Sequence, residues 1–218
     1  MAAIGGSEGM GPDFEFETAA YAAGASRVAG VDEVGRGPLA GPVTAAAVVL
    51  DPACIPEGLN DSKQLSIKKR SYLAELLMDC AEVSVAHASV DEIEQHNILR
   101  ASHIAMMRAV AGLPDAPDHV LIDGAMVPRG MNIAAQPVVK GDTRCLSISA
   151  ASIVAKIARD RLMVDLAQQH PGYGWETNMG YGSKSHISAL QNLGPTPHHR
   201  RTFKPVHNIL YQDKNLKP

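Results

Sequence analysis

Four acidic residues stand at positions where carboxylates could act together on a substrate. Asp32 and Glu33 end the apolar segment RVAGVDEV, Asp123 ends HVLID, and Asp142 lies in VVKGDTRCLS. Each has an ordinary alternative explanation as an edge, turn or loop residue, since Asp-Gly in particular favours turns. A cluster of such carboxylates would repel itself unless protons or cations neutralised it. Ligands that are all oxygens favour Mg²⁺ or Mn²⁺ over Zn²⁺, and a pair of such ions suits in-line displacement at phosphorus.

The adjacent acids pose a packing problem at the end of the first predicted strand. Neighbouring residues of a regular strand point to opposite faces, so either Asp32 or Glu33 would face a core at severe cost. We therefore expect the strand to bulge or to end here, which would let both carboxylates emerge together. Gly35 follows one residue later and supplies backbone freedom for such a change.

The tripeptide Gly35-Arg36-Gly37 is a second candidate for chemistry. It matches neither GxxxxGK[ST] nor GxGxxG, so neither nucleotide-binding motif is supported. One interpretation is a tight connection between strands. The other is that free backbone groups contact a sugar hydroxyl, with Arg36 near a phosphate. Because a 2′-hydroxyl both donates and accepts hydrogen bonds, paired backbone groups could distinguish ribose from deoxyribose.

Charge is unevenly distributed, although the net charge is only −3. Residues 1–26 carry four acids and no base, whereas residues 184–218 carry six Lys or Arg and one acid. Five of the nine aromatic residues also lie between Tyr173 and Tyr211. Basic and aromatic residues gathered in this way suit a phosphate backbone and sugars. On composition alone, an ordinary solvated surface is the simpler interpretation.

Composition excludes several other classes of protein. The three cysteines include no CxxC pair, which disfavours a zinc ribbon or a disulfide scaffold and favours three buried thiols. No apolar run reaches the roughly 18 residues of a membrane span. The first 20 residues hold no Lys or Arg and no apolar core, so we expect no secretory signal and a cytoplasmic protein.

Apolar periodicity predicts an α/β protein with a mixed sheet. Little helix separates the first strands, which favours an antiparallel meander, whereas helices separate the later strands. Pro137 places the last strand at an edge. We predict strands at 27–34, 44–51, 83–90, 119–124 and within 131–142. We predict helices after an N-cap at Ser66, after Asp91, and at about 98–112, 147–170 and 183–192.

The chain closely resembles bacterial ribonuclease HII over about residues 27–207. The resemblance is carried by VAGVDEVGRGPLAGPV, LNDSKQLS, LIDG, KGD, SAASIVAKIARDR and GYGSKSH, in that order. It implies a ribonuclease H-like, mixed five-stranded sheet flanked by helices, with a small helical C-terminal extension. The related ribonuclease HIII has a different glycine motif and an extra N-terminal domain, so Arg36 and the short N-terminal segment favour HII. We divide the chain into a flexible acidic tail (1–26), a catalytic domain (27–192) and a basic extension (193–218).

The same resemblance implies roles for individual residues. The four metal-binding, catalytic carboxylates would be Asp32, Glu33, Asp123 and Asp142. Gly35, Arg36 and Gly37 would recognise the ribonucleotide at its junction with DNA, and Tyr181 would stack on the deoxyribose that follows. Lys63 and Lys184 would contact phosphates. The histidines near the C-terminus lack the spacing of metal ligands, and we interpret them as surface or substrate-side residues: His186, His198, His199 and His207.

The implied activity is that of an endoribonuclease dependent on Mg²⁺ or Mn²⁺. It would hydrolyse RNA in RNA–DNA hybrids and cut 5′ to ribonucleotides embedded in duplex DNA, leaving 3′-hydroxyl and 5′-phosphate ends by two-metal-ion catalysis. We expect a monomer with no membrane partner, and no residue pattern supports a sliding clamp as a partner. Two alternatives stay open: a binding module of the same fold that does not cut, and another metal-dependent nuclease or phosphotransferase of this fold.

Overall fold

The computed structural model describes residues 11–211, which form one five-stranded sheet with helices on both faces. The strands are β1 Val28–Val34, β2 Val43–Leu50, β3 Ala81–Ala88, β4 His119–Asp123 and β5 Ala134–Val138. The helices are α1 Glu15–Ala22, α2 Ile67–Cys80, α3 Val90–Ala111, α4 Leu146–Gln169, α5 Trp175–Asn178, α6 Lys184–Leu193 and α7 Lys204–Tyr211. A 3₁₀ turn at Gly141–Thr143 precedes α4.

The strand order confirms the predicted mixed sheet. It runs β3-β2-β1-β4-β5, with β1, β2 and β3 antiparallel and with β4 and β5 parallel to β1. β5, which contains Pro137, lies at an edge as predicted. The carboxyl ends of β1 and β4 therefore lie side by side, and these are the ends that carry acidic residues.

β2 is buried along its whole length because both of its faces are covered. Ala45 and Ala47 pack towards α3, whereas Ala46 and Val48 pack towards α2 and α4. Strand alternation with apolar residues on both faces is what a central strand requires. The sheet thus separates two cores, to which α3 and α4 each contribute several alanines.

α4 lies directly on β1. A methyl group added at Gly30 would overlap the backbone of Ser147 and Ile148, so the strand and the helix are in backbone contact. Ala150 and Ala151 follow on the buried side of the helix, as expected from their size. This contact holds α4 close to the end of β1.

The prediction of a flexible tail is wrong for residues 11–26, the part of the tail that the structure describes. Residues 15–22 form α1, and its Glu17 is only 1% exposed. One carboxylate oxygen of Glu17 accepts hydrogen bonds from the Ser147 amide at 2.7 Å and the Cys145 thiol at 3.1 Å. Acidic composition was misleading because this acid lies at the start of α4, where free amides and the helix dipole favour negative charge. Residues 1–10 lie outside the described part.

α3 is interrupted at Asn97, whose φ of 66° and ψ of 166° are not helical, so it consists of two helical segments, as predicted. Its N-cap is Ser89 and not Asp91, because Ser89 and Glu92 form a reciprocal capping box. The N-cap predicted at Ser66 is confirmed, since its hydroxyl accepts from the Lys69 amide.

Two of the three cysteines are not buried thiols. Cys54 and Cys80 form a disulfide that joins the loop after β2 to the end of α2, whereas Cys145 is free and buried. Sequence spacing could not reveal this pair, since 26 residues separate its members. No helix within residues 11–211 combines the length and the apolarity that crossing a bilayer demands.

The C-terminal segment packs on the far half of α4. Trp175, Leu190 and Val206 form a third core with Met163 of α4. The described part of the segment taken as a basic extension, residues 193–211, is therefore partly buried. Its Arg200 is 0% exposed, which places a charged group inside the protein.

Candidate active site

Three of the predicted carboxylates converge at the adjoining ends of β1 and β4. Oxygens of Asp32, Glu33 and Asp123 all lie within 4.8 Å of one another. Asp32 is 6% exposed, and its Oδ1 accepts a hydrogen bond from the Glu33 amide at 2.7 Å. The carboxyl ends of parallel strands are the usual location of a site in an α/β sheet.

The expected bulge at Asp32 and Glu33 is absent, and β1 pairs with β2 in regular register as far as Val34. On its other side, pairing with β4 ends at Val31 and Ile122. β1 therefore extends beyond the register of its parallel neighbour. The other expectation, that the strand ends at this point, is confirmed only for the pairing of β1 with β4. Asp123 lies on that side of β1.

Asp142 lies beside this group but outside the set of three. The Gly141 amide donates to Asp123 Oδ1 at 2.8 Å, which ties the 3₁₀ turn carrying Asp142 to the end of β4. Burial, and then repulsion by Asp123 and Asp61, raises the pKa of Asp142. All four predicted carboxylates thus occupy one region.

The cluster carries an excess of negative charge that protein groups only partly compensate. Burial raises the pKa of Asp32 well above its usual range, and Glu33 and Asp123 add repulsion in the same direction. Burial also raises the pKa of Glu33, opposed by Arg36, whose Nη1 lies 3.1 Å from Glu33 Oε1. An oxygen-only donor set with unrelieved repulsion fits a hard divalent cation.

Lys63 approaches the same cluster from the loop before α2. Its Nζ lies 3.7 Å from Asp142 and 3.9 Å from Asp61, while 77% of its side chain is exposed. Burial opposes its charge, but attraction to Asp61 and Asp142 raises its pKa. Asp61 was missed in the sequence, although it stands in LNDSKQLS two residues before Lys63. Its proximity to Asp142 depends on the fold and has no local signal.

The glycine tripeptide and Tyr181 meet next to the carboxylates. Gly35 has a φ of +93°, a conformation that favours glycine. A methyl group at Gly37 would lie 3.5 Å from Tyr181 Cε1, and the Tyr181 side chain is 46% exposed. Lys184 begins α6 three residues later and is exposed, and within residues 11–211 it joins no ion pair.

Two of the histidines interpreted as surface or substrate-side residues are buried. His186 and His199 are 0% and 1% exposed, and their Nε2 atoms lie 3.1 Å apart. His186 also accepts from Trp175 Nε1 at 3.0 Å, and its Nδ1 lies 2.9 Å from the Tyr181 carbonyl. These side chains support the segment that carries Tyr181. His207 is exposed and His198 partly so.

Solved structures place this fold in a known class. It is similar to ribonuclease H2 from Pyrococcus horikoshii OT3, with a TM-score of 0.73 and 28% identity, over 87% of this chain and 99% of that one. It is also similar to Bst-RNase HIII in complex with Mn²⁺, with a TM-score of 0.69 over 90% of this chain and 73% of that one; at 20% identity this likeness concerns the fold alone. The sheet and its carboxylate cluster define an enzyme of the ribonuclease H class.

Sequence comparison narrows the class. A curated protein named Ribonuclease HII from Roseobacter denitrificans is 82% identical over 197 residues, which is 90% of this chain and 100% of that relative. The family model for Ribonuclease HII matches residues 29–206. The chain belongs to the ribonuclease HII family, as its motifs predicted.

Proposed function

We propose that this protein hydrolyses the RNA strand of RNA–DNA hybrids and cuts 5′ to ribonucleotides embedded in duplex DNA. The products would carry 3′-hydroxyl and 5′-phosphate ends. The observation that supports this most directly is the convergence of Asp32, Glu33 and Asp123 beside the contact of Gly37 with Tyr181. A site for phosphate chemistry and a surface suited to a sugar are thereby neighbours.

The carboxylates would hold Mg²⁺ or Mn²⁺. Asp32, Glu33 and Asp123 are close enough to share a cation, and Asp142 lies beside them. When bound, a pair of such ions lowers the pKa of water and neutralises charge that develops at the phosphate. Arg36 would keep Glu33 ionised and correctly placed, because its guanidinium is already 3.1 Å from that carboxylate.

Ribonucleotide recognition would belong to the backbone of Gly35, Arg36 and Gly37. Glycines at both ends let the chain approach a sugar closely, and backbone groups can read a 2′-hydroxyl. The exposed ring of Tyr181 would stack on the deoxyribose that follows. The backbone of Gly37 lies close to this ring and limits the space around it. These two contacts would select the junction between RNA and DNA.

Lys63 and Lys184 would contact phosphates of the substrate. Lys63 reaches Asp142 with most of its side chain still exposed, so a phosphate can approach it from solvent. Lys184 lies in the first turn of α6, close in sequence to Tyr181. Both would act by charge, which supplies affinity and positions the substrate without reading its sequence.

A duplex with one ribonucleotide tests the proposal. We expect cleavage with Mg²⁺ or Mn²⁺, none with EDTA, and none of an all-DNA duplex. Extension of the upstream product by a DNA polymerase would report its 3′-hydroxyl end. Asp123→Asn should abolish cleavage, whereas Asp115→Asn, an exposed aspartate near the other end of β4, should not. Binding without any cleavage by the wild-type chain would favour the non-cutting module, and cleavage of the all-DNA duplex would favour a general nuclease.

A further inference from the structure

The glycine loop, defined as residues 35–42, rests on a guanidinium group that is completely buried. Arg200 comes from the C-terminal segment and is 0% exposed. It donates to three carbonyls of the loop: Gly35 at 2.6 Å, Arg36 at 3.0 Å and Gly41 at 2.9 Å. Two of these three carbonyls belong to the tripeptide proposed to recognise the ribonucleotide.

A second buried guanidinium lies beneath the same loop. Arg159 of α4 is 0% exposed and donates to the carbonyls of Ala40, Pro42 and Met179 at 3.0 to 3.1 Å. A methyl group at Gly35 would overlap its Nε, so glycine is needed there for the guanidinium to fit. The two arginines together hold most of the loop from below.

Within residues 11–211, neither arginine forms an ion pair with a carboxylate. Burial, and then repulsion by Arg159, lowers the pKa of Arg200 to about 9. A buried charge without a counterion is costly, and stability alone would favour an apolar residue. The retained hydrogen bonds to loop carbonyls point to a role in shaping the loop.

Peptide geometry connects Arg200 to the outer surface of the loop. In a planar trans peptide the C=O and the following N–H point in opposite directions, and residues 11–211 contain no cis peptide. Carbonyls of Gly35 and Arg36 that face Arg200 therefore turn the amides of Arg36 and Gly37 away from it. Within the described residues, neither amide donates to a protein acceptor. Two oriented donors are thus available to a ligand.

We propose that Arg200 is a positioning residue for ribonucleotide recognition. By holding the Gly35 and Arg36 carbonyls inward, it presents the Arg36 and Gly37 amides to the sugar of the ribonucleotide. This inference rests on the proposed function and adds a residue outside the glycine motif to it. The Arg200 amide also donates to the Leu39 carbonyl at 2.8 Å, so the same residue anchors the loop through its backbone.

The test compares affinities for two duplexes that differ only in one 2′-hydroxyl. Dissociation constants are measured by fluorescence anisotropy, with Ca²⁺ in place of Mg²⁺ to slow cleavage. Arg200→Lys keeps a positive charge but cannot hold three carbonyls in a planar fork. We expect its preference for the ribonucleotide duplex to fall about 2- to 10-fold, the worth of one or two neutral hydrogen bonds, with little change for the all-DNA duplex.

Arg201→Lys is the matched control, because Arg201 is the exposed neighbour in sequence. Its preference for the ribonucleotide should equal that of the wild type. If the role of Arg200 were merely structural, Arg200→Lys would reduce the fraction of active protein and weaken binding of both duplexes equally. The ratio of the two dissociation constants would then stay unchanged, and that result would overturn the inference. A wild-type chain with no preference at all would instead overturn the proposed function and this inference with it.

Phe203→Leu provides a second, milder variant should Arg200→Lys fail to fold. The Arg200 guanidinium lies over the Phe203 ring, 5.0 Å from its centroid, so the shorter side chain loosens the guanidinium without removing it. The ribonucleotide preference should then fall by a smaller factor, about twofold. An unchanged ratio in this folded variant would likewise contradict a positioning role.

Discussion

The Gly141 amide donates a hydrogen bond to Asp123 Oδ1 at 2.8 Å, and this contact joins the end of β4 to the turn that carries Asp142. The bond holds a carboxylate that also supplies an oxygen within 4.8 Å of oxygens of Asp32 and Glu33. It also makes the location of Asp142 depend on Asp123. The positions of the four carboxylates therefore depend on one another. Their mutual repulsion should affect the stability of the protein, which can be measured.

Asp32→Asn should stabilise the protein in the absence of metal while abolishing cleavage. The substitution removes a buried charge that is repelled by Glu33 and Asp123, and we expect a gain on the order of 1 kcal/mol in the free energy of unfolding. Thermal unfolding with and without Mn²⁺ checks this. The ion should raise the Tm of the wild type by mass action and leave the variant nearly unchanged. A variant less stable than the metal-free wild type would contradict the prediction.

Glu17→Ala should destabilise the fold by about 1–3 kcal/mol, because it leaves the buried Ser147 amide and Cys145 thiol without their acceptor. Urea unfolding measures the change. Glu15→Ala serves as the control, since Glu15 is an exposed residue of the same helix. Equal stabilities of the two variants would show that α1 contributes nothing through this contact.

Acid should destabilise the protein through His199. Burial, and then repulsion by His186 and His198, lowers the pKa of His199 to about 3. The unfolded chain binds the proton near pH 6.5, so this contribution is fully present above pH 6.5 and is lost as the pH falls towards 3. The slope is at most about 1.4 kcal/mol per pH unit. His199→Asn should be less stable at pH 7 and should lose less stability than the wild type between pH 7 and pH 5, as measured by chemical denaturation.

Lys63→Gln should weaken binding of the hybrid duplex and make it less sensitive to salt. Loss of one phosphate contact reduces the slope of log K against log salt by about 0.9. Lys68→Gln is a fair comparison, because Lys68 is an exposed lysine of the following helix. Identical salt slopes for the two variants would argue that Lys63 pairs only with the carboxylates.

The mixed sheet could be predicted because its signals are local. Runs of apolar residues define β1, β2 and β4, and the spacing of helices between them separates antiparallel from parallel pairing. Asp32, Glu33 and Asp123 could be located for the same reason, since each stands at or near the end of an apolar strand, whereas Asp142 lies in a turn. A motif resemblance then supplied the proposed roles of residues such as Tyr181, which periodicity does not reveal.

What could not be predicted depends on contacts between distant segments. Glu17 meets the start of α4 across 130 residues, and Arg200 meets Gly35 across 165. Glu17 lies in an acidic segment and Arg200 in a basic one, so composition indicated a solvated surface for both. His186 was misjudged in the same way, because the aromatic side chains that bury it are assembled only by the third core.

The bare backbone contact at Gly30 has a consequence for how this enzyme can vary. No side chain separates β1 from α4 there, so the spacing between strand and helix cannot adjust when neighbouring core residues change size. Changes in core volume must be absorbed elsewhere, under α2 on the same face of the sheet or under α3 on the opposite face. Because Asp32 lies two residues after Gly30, we expect its distance from α4 to stay constant when residues elsewhere in the core change.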